Sequence, residues 1–348
     1  MAVYSREVRR PPEQIATAGQ CTMGTFNGPI RNINLLELEQ PLGRRLPRGF
    51  NAFRLKEWQA FQLSNDDWFV CLSVYNTKTV GIAIVMAYSK TEQRMYRYEH
   101  KVPYWKLQVP NGLHDSRCFY HSKDFSIDIH NHLDKNLFEI AISAVNFENM
   151  PNFNARWTIF HTTEPCVIVQ PFAPNRPLYS HKALMTAEGE VSFASNISPF
   201  AVNSSCAIVD DHKGFYPYVM QYDWVTALGF DKPGGLIGFN LTDNQIQDKE
   251  RYNENCLWQD GRMIPLPPVT VERPNGVDAD WHIKDNYGLV QLTFTPLADV
   301  PNHLNLGIAA FKYHGPTGRF TGHIVNPAGN LVSFDDFIGM GEQKYIRM

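Results

Sequence analysis

The chain has no stretch approaching the roughly 18 apolar residues that a membrane-crossing helix requires. Its first residues, MAVYSREVRR, lack the apolar core of a secretory signal. Charge is sparse too: 19% of residues are charged, the net charge is −3, and no block of one sign occurs. Nucleic-acid binding ordinarily leaves a basic stripe, so no nucleic-acid partner is expected. Cys21, Cys71, Cys118, Cys166, Cys206 and Cys256 are scattered without a Cys-x-x-Cys pair. In a chain of this length that spacing predicts a reduced, cytoplasmic protein rather than a disulfide framework. There is no Gly-x-Gly-x-x-Gly after a strand, no Walker loop and no Gly-x-Ser-x-Gly elbow, which leaves nucleotide-dependent and α/β-hydrolase chemistry without support. No long amphipathic helix is evident; residues 335–339 have room for one short turn.

What the chain does have is apolar and aromatic side chains. Hydrophobic residues make up 43%, enough for a real core, and aromatics 13%, a share that suits strands and ligand cavities better than helical bundles. Alternating segments predict strands at 54–63 and 68–75 around Ser64-Asn65-Asp66-Asp67, and at 79–88 and 94–102 around Ser89-Lys90-Thr91-Glu92. A third pair, 125–132 and 137–145, flanks Asp134-Lys135-Asn136, and 156–161 is expected to pair with 166–171. Further strands are expected at 218–229, 236–241, 281–295 in two pieces, 304–313 and 319–325, with Asp260-Gly261 as a hairpin turn. Polar turns every eight to twelve residues indicate an all-β sandwich or barrel. The pattern loosens near Ala173-Pro174-Asn175-Arg176-Pro177 and again over 196–205. This suggests a first β domain at 20–172, a connecting segment at 173–204 and a second β domain at 205–348.

The most informative stretch is His212-Lys213-Gly214-Phe215-Tyr216-Pro217-Tyr218 running into Tyr222-Asp223-Trp224. In a strand of period two, Tyr216, Tyr218, Tyr222 and Trp224 share one face and Asp223 lies on the other, unless a bulge at Pro217 shifts the parity. An aromatic wall beside an acid suits a flat or greasy ligand, and aromatic faces stabilise a carbocation. Asp223 is a candidate acid or an orienting partner for His212. The bland alternative is an aromatic corner closing a sheet, with Lys213 and Asp223 as surface charges.

Four other groups invite a function. On 54–63, Glu57 shares a face with Leu55, Gln59, Phe61 and Leu63; buried without a cation its pKa would rise, making it a proton donor near neutral pH. Paired with Arg54, Lys56 or another base it would be structural. Asp128, His130 and His132 share a strand face at a common metal spacing, with His121, seven residues before Asp128, as a further candidate. The opposite face (Phe125, Ile127, Ile129) reads as core, which favours solvent-facing histidines without metal. Asn253-Glu254-Asn255 before Trp258 would fix a polar ligand group or cap a loop. Asn27, Asn32 and Asn34 around Gly28-Pro29 read as a turn or a plug crossing a barrel.

Several blocks together resemble a known family: Phe26-Asn27-Gly28 with Asn32-Ile33-Asn34; Arg54-Leu55-Lys56-Glu57-Trp58-Gln59; the His212–Trp224 segment; Asn253-Glu254-Asn255 with Trp258-Gln259-Asp260-Gly261; and the ending Gly339-Met340-Gly341-Glu342. They resemble the bacterial domain-of-unknown-function family 2804 over nearly the whole chain. That family is distantly similar to tandem lipocalin-like proteins, among them carotenoid hydratases, tocopherol cyclases and fungal Diels–Alder cyclases. The resemblance implies two β-barrel-like domains and a hydrophobic substrate, and brings no catalytic residue with it.

The expectation is therefore an all-β protein of two tandem lipocalin-like barrels or strongly curved antiparallel sheets, with an apolar cavity in one or between the two. Its expected function is proton-transfer chemistry without a cofactor on a hydrophobic small molecule: hydration, dehydration, cyclisation or isomerisation. Glu57, Asp223 and His212 are the candidate catalytic residues. Trp58, Tyr216, Tyr218, Tyr222, Trp224, Asn255 and Trp258 are the candidate substrate contacts. The alternatives are a binding protein for an apolar ligand and a metal enzyme built on Asp128, His130 and His132.

Overall fold

A computed structural model describes residues 4–232, 234–305 and 310–347. Two large antiparallel sheets dominate it, each curled around its own core. The main path of the first sheet runs Arg94–Pro103, Val80–Ser89, Trp68–Asn76, Lys56–Ser64, Cys206–Gly214, Arg176–Phe193, Phe153–Phe160, Leu137–Ala144, Phe125–His132, Ser116–His121 and Leu107–Gln108. That of the second runs Arg262–Pro265, Cys256–Gln259, Leu236–Asp243, Val219–Phe230, Leu331–Arg347, Thr317–Val325, Val290–Ala298, Trp281–Asp285 and Val269–Glu272.

Period-two alternation explains how each sheet closes. On Lys56–Ser64, Phe61 and Leu63 join the first core together with Val70, Leu72, Val209 and Phe138. Val225, Phe239, Trp281, Phe294 and Phe320 fill the second. The opposite faces are not given up to water. A third apolar cluster, including Phe69, Leu184, Ile208, Trp224, Leu228, Trp258 and Met340, joins the two sheets. Several central strands are therefore buried on both sides.

Local turn chemistry sets the hairpins. Asp260 and Gly261 both have positive φ, 52° and 74°, as the two-residue turn between Gln259 and Arg262 requires. Other features depart from expectation. Residues 173–204 are not a connector: Arg176–Phe193 is a long strand inside the first sheet and Asn196–Phe200 pairs with it. Cys206–Gly214 also belongs to the first sheet, between Lys56–Ser64 and Arg176–Phe193, so the chain crosses to the second sheet only over 215–218. Phe153–Phe160 pairs with Leu137–Ala144 and Arg176–Phe193, not with Cys166–Ala173. Residues 335–339 lie within the strand Leu331–Arg347 rather than in a helical turn. Of the strand expected at 304–313, residues 306–309 lie outside the described residues. All six cysteines are free thiols. Among the described residues no helix is long and apolar enough to cross a membrane.

Candidate active site between the sheets

A cavity of about 170 Å³ opens between the two curled sheets. Because Phe61 and Leu63 turn into the first core, alternation sends Trp58, Ala60 and Gln62 of the same strand to the cavity. Likewise Ile208, Asp210 and His212 of Cys206–Gly214 line it, while Asp211 and Lys213 point the other way and pair with each other at 2.7 Å. The second sheet supplies Met220, Tyr222 and Trp224, then Met340, Glu342 and Lys344. The crossing at 215–218 thus puts His212 on one wall and Tyr222 and Trp224 on the other, with Tyr216 between them.

The polar centre of this apolar space is a buried charge cluster. Asp210 Oδ1 lies 2.8 Å from Lys182 Nζ and 2.9 Å from His212 Nε2. Glu254 Oε2 stands behind both, 3.7 Å from Lys182 Nζ and 3.6 Å from His212 Nε2. Burial alone would push the Asp210 carboxyl up, but His212 and Lys182 outweigh it and hold the group far below the usual carboxylate range. Burial pulls the Lys182 ammonium down, and Asp210 and Glu254 more than restore it, so it stays protonated. The His212 ring stacks on Trp58, centroids 4.6 Å apart and planes 13° apart, and the Trp58 Nε1–H donates to Asp210 Oδ2 at 3.3 Å. Lys182 Nζ also sits 4.8 Å over the Trp224 ring, whose Nε1–H donates to Asn240 Oδ1 at 2.6 Å.

Several polar atoms of the cavity wall remain uncommitted, the Gln62 amide and the Thr242 hydroxyl among them. His212 Nδ1 and the Tyr216 hydroxyl are buried and have no hydrogen-bond partner among the described residues. The His212 ring is held by its 2.9 Å contact with Asp210 through Nε2 and by its stack on Trp58, which leaves Nδ1 available to a ligand. Burial raises the Tyr216 phenol well above its ordinary value, so it keeps its proton and can donate it to a ligand oxygen.

The expected site residues divide cleanly. His212, Trp58, Tyr216, Tyr222 and Trp224 come together at the cavity. Glu57 is on the face away from it and pairs with Lys78, so it is not the buried acid expected. Glu57→Gln is expected to leave ligand binding unchanged and to cost no more than about 1 kcal/mol in a denaturant titration, since partly exposed ion pairs contribute little. Asp223 also falls outside the cavity: Arg273 holds it at 2.7 Å and itself lies 3.9 Å over the Trp281 ring. Tyr218 is exposed, and Asn255 is a structural clamp, accepting from Thr242 N at 2.7 Å and donating to Pro267 O at 2.8 Å. Trp258 is wholly buried between the sheets, its Nε1–H given to Glu164 O at 3.1 Å.

At the metal alternative, His121 and His130 lie 3.2 and 3.3 Å from Asp128, but its donors are engaged with other side chains. The Arg117 guanidinium takes both Asp128 oxygens, and His132 turns instead to Glu139 at 3.3 Å. Among the described residues no three His, Cys, Asp or Glu side chains converge as a metal site requires. Of the asparagines near Gly28-Pro29, Asn34 is buried and bonds both backbone polar groups of Ala16, at 2.8 Å to N and 2.9 Å to O.

Of the residues at this site, Lys182, Asp210 and Lys344 are not among the expected ones, Glu342 enters only within the family-like ending, and Glu254 only as a mouth or capping residue. One signal was there: Asp210-Asp211-His212-Lys213 sets four titratable residues in a row directly after Ala207-Ile208-Val209. Such a run inside a buried strand demands partners on both faces.

Fold and site together define a protein of two curled antiparallel sheets with an internal, acid–base-equipped apolar cavity at their junction. The chain belongs to the family described as domain of unknown function DUF2804, whose profile matches residues 5–348. No curated protein matches it. Among solved structures it is similar to CghA, with a TM-score of 0.52 and 10% identity over 84% of this chain and 88% of that one. It is also similar to kievitone hydratase from Nectria haematococca, with a TM-score of 0.48 and 10% identity over 84% of this chain and 88% of that one. At this identity the likeness to CghA establishes the two-sheet fold alone, and the weaker likeness to the hydratase bears no argument.

Proposed function

We propose that the protein is an enzyme that moves a proton on a largely apolar small molecule held between its two sheets: a hydration, dehydration, cyclisation or double-bond shift. The observation that carries this reading is the His212–Asp210 pair, buried beside Lys182 and Glu254 and stacked under Trp58 in an otherwise apolar cavity. Burying so many ionisable groups is costly. A site that only stored a greasy ligand would gain nothing from that cost, whereas a proton-transfer base needs a counter-ion held beside it.

In this reading His212 Nδ1 takes a proton from the substrate or returns one to it. Asp210, kept ionised by Lys182, stabilises the imidazolium that forms. Tyr216 donates its hydroxyl hydrogen to the oxygen on which charge develops, and Trp58 and Trp224 hold the apolar framework and shade any cationic carbon. The chain's own side chains suffice for each of these roles.

The test is organic extraction of the freshly purified protein, identification of the bound molecule by mass spectrometry, and incubation of that molecule with the protein. Conversion to an isomer, or to a product differing by one water, is the expected result. Tyr216→Phe should slow that conversion by about 10²-fold, the usual loss on removing one oxyanion donor, while ligand affinity changes by only a few-fold. A ligand that stays bound and never changes would identify a carrier instead.

A further inference from the structure

A second cation lines the same cavity and has no anion. The Lys344 ammonium is half-buried among four aromatic rings, at 5.3 Å from Tyr75, 5.3 Å from Tyr222, 5.5 Å from Tyr313 and 5.7 Å from Trp58. The other cations on the cavity wall are spoken for: Lys182 by Asp210 and Glu254, Arg97 by Glu99. Among the described residues Lys344 makes no ion pair and no hydrogen bond. It also borders two hollows that adjoin the cavity, a narrow one beside Arg54 and Pro217 and a wider, open one beside Gln221 and Gln343, which places it at the rim.

Glu342 is the nearest candidate partner by sequence, two residues along the same face of Leu331–Arg347. It does not close on Lys344. Burial raises the Tyr222 and Tyr313 phenols, and the nearby Glu342 carboxylate raises them further. Both phenols beside it hold their protons, and among the described residues the carboxylate makes no ion pair with Lys344. The aromatic faces keep the Lys344 head in place, yet they satisfy none of its N–H bonds. A cation held this way is preorganised for an anionic oxygen that arrives with the ligand.

We infer that Lys344 is the head-group site of the cavity and that the substrate is an apolar molecule bearing one carboxylate. The carboxylate accepts from Lys344 Nζ at the rim, and the apolar body runs inward past Trp58. Because Trp58 touches both Lys344 and His212, the carboxylate anchors the substrate one indole ring from the reacting carbon. This rests on the cavity being the substrate site and adds the chemical class that the site selects.

The experiment compares two probes of matched shape, decanoate and decan-1-ol, binding to the full-length protein at pH 7, by calorimetry and by quenching of tryptophan fluorescence. The wild type is expected to bind decanoate at least tenfold more tightly than the alcohol. Lys344→Met should bring the two to parity by weakening decanoate alone, and Lys344→Arg, which keeps the charge, should retain the preference. Equal binding of both probes by the wild type, or a preference that survives Lys344→Met, overturns the carboxylate assignment and leaves the cavity as the ligand site. Binding of neither probe removes both the assignment and the cavity reading beneath it.

Discussion

His212→Gln is expected to lower turnover of the cavity ligand by about 10²–10⁴-fold, the range over which a positioned general acid–base group contributes. The glutamine amide can still donate to Asp210 and pack under Trp58, so ligand affinity should change little. It cannot accept and return a proton near neutral pH. The effect should therefore fall on kcat and not on KM, which separates lost chemistry from lost binding. Equal rates in wild type and variant, measured on the extracted ligand by mass spectrometry, would remove His212 from the mechanism.

The second large effect is on stability. Lys182→Met removes the one cation in direct contact with Asp210 other than His212, and leaves Asp210 and Glu254 buried with too little positive charge. Breaking a buried pair from one side typically costs about 3–5 kcal/mol, which chemical denaturation would read directly. The pH dependence has a definite sign. The folded pKa of Asp210 is depressed, so its contribution is present above its unfolded value near ~3.9 and is lost as pH falls through the lower folded value. The folded pKa of Lys182 is raised, so its contribution is present below its unfolded value near ~10.4 and is lost as pH rises through the higher folded value. The gap between wild type and variant should therefore be flat from about pH 5 to 9 and narrow on both sides. A gap that grows steadily with pH would mean that another group sets it.

Much of the fold was legible because hairpins are local. Asp260-Gly261 announces its own turn, and the alternation of residues 125–132 against 137–145 emerges as Phe125–His132 paired with Leu137–Ala144. Non-local pairing was not legible. Nothing near Cys206–Gly214 says that it inserts between Lys56–Ser64 and Arg176–Phe193, and the prolines at 174 and 177 disguised the start of a long strand. The aromatic segment after His212 pointed to the right place for an incomplete reason. Its period-two pattern reads as one strand, whereas it leaves one sheet at Gly214 and enters the other at Val219, so its two ends face each other across a cavity.

The misassigned acid has a single physical origin. Period two shows which residues share a face, but not which face meets the core when both faces are buried. Glu57 shares its face with Phe61 and Leu63, and that face belongs to the first barrel; at its end Glu57 reaches Lys78. Trp58, one residue on, looks into the cavity. A lone lysine in a strand pattern reads as solvent-facing, and only the packing of one sheet against the other buries Lys182 and half-buries Lys344.

The most direct test of the central claim is incubation of the extracted ligand with the protein in D₂O, followed by mass spectrometry of the recovered molecule. Proton transfer at carbon predicts deuterium incorporated in a carbon–hydrogen position, in wild type and in Glu57→Gln but not in His212→Gln. A molecule that fills the cavity stoichiometrically and returns without deuterium on carbon would contradict the enzymatic account and leave a binding protein in its place.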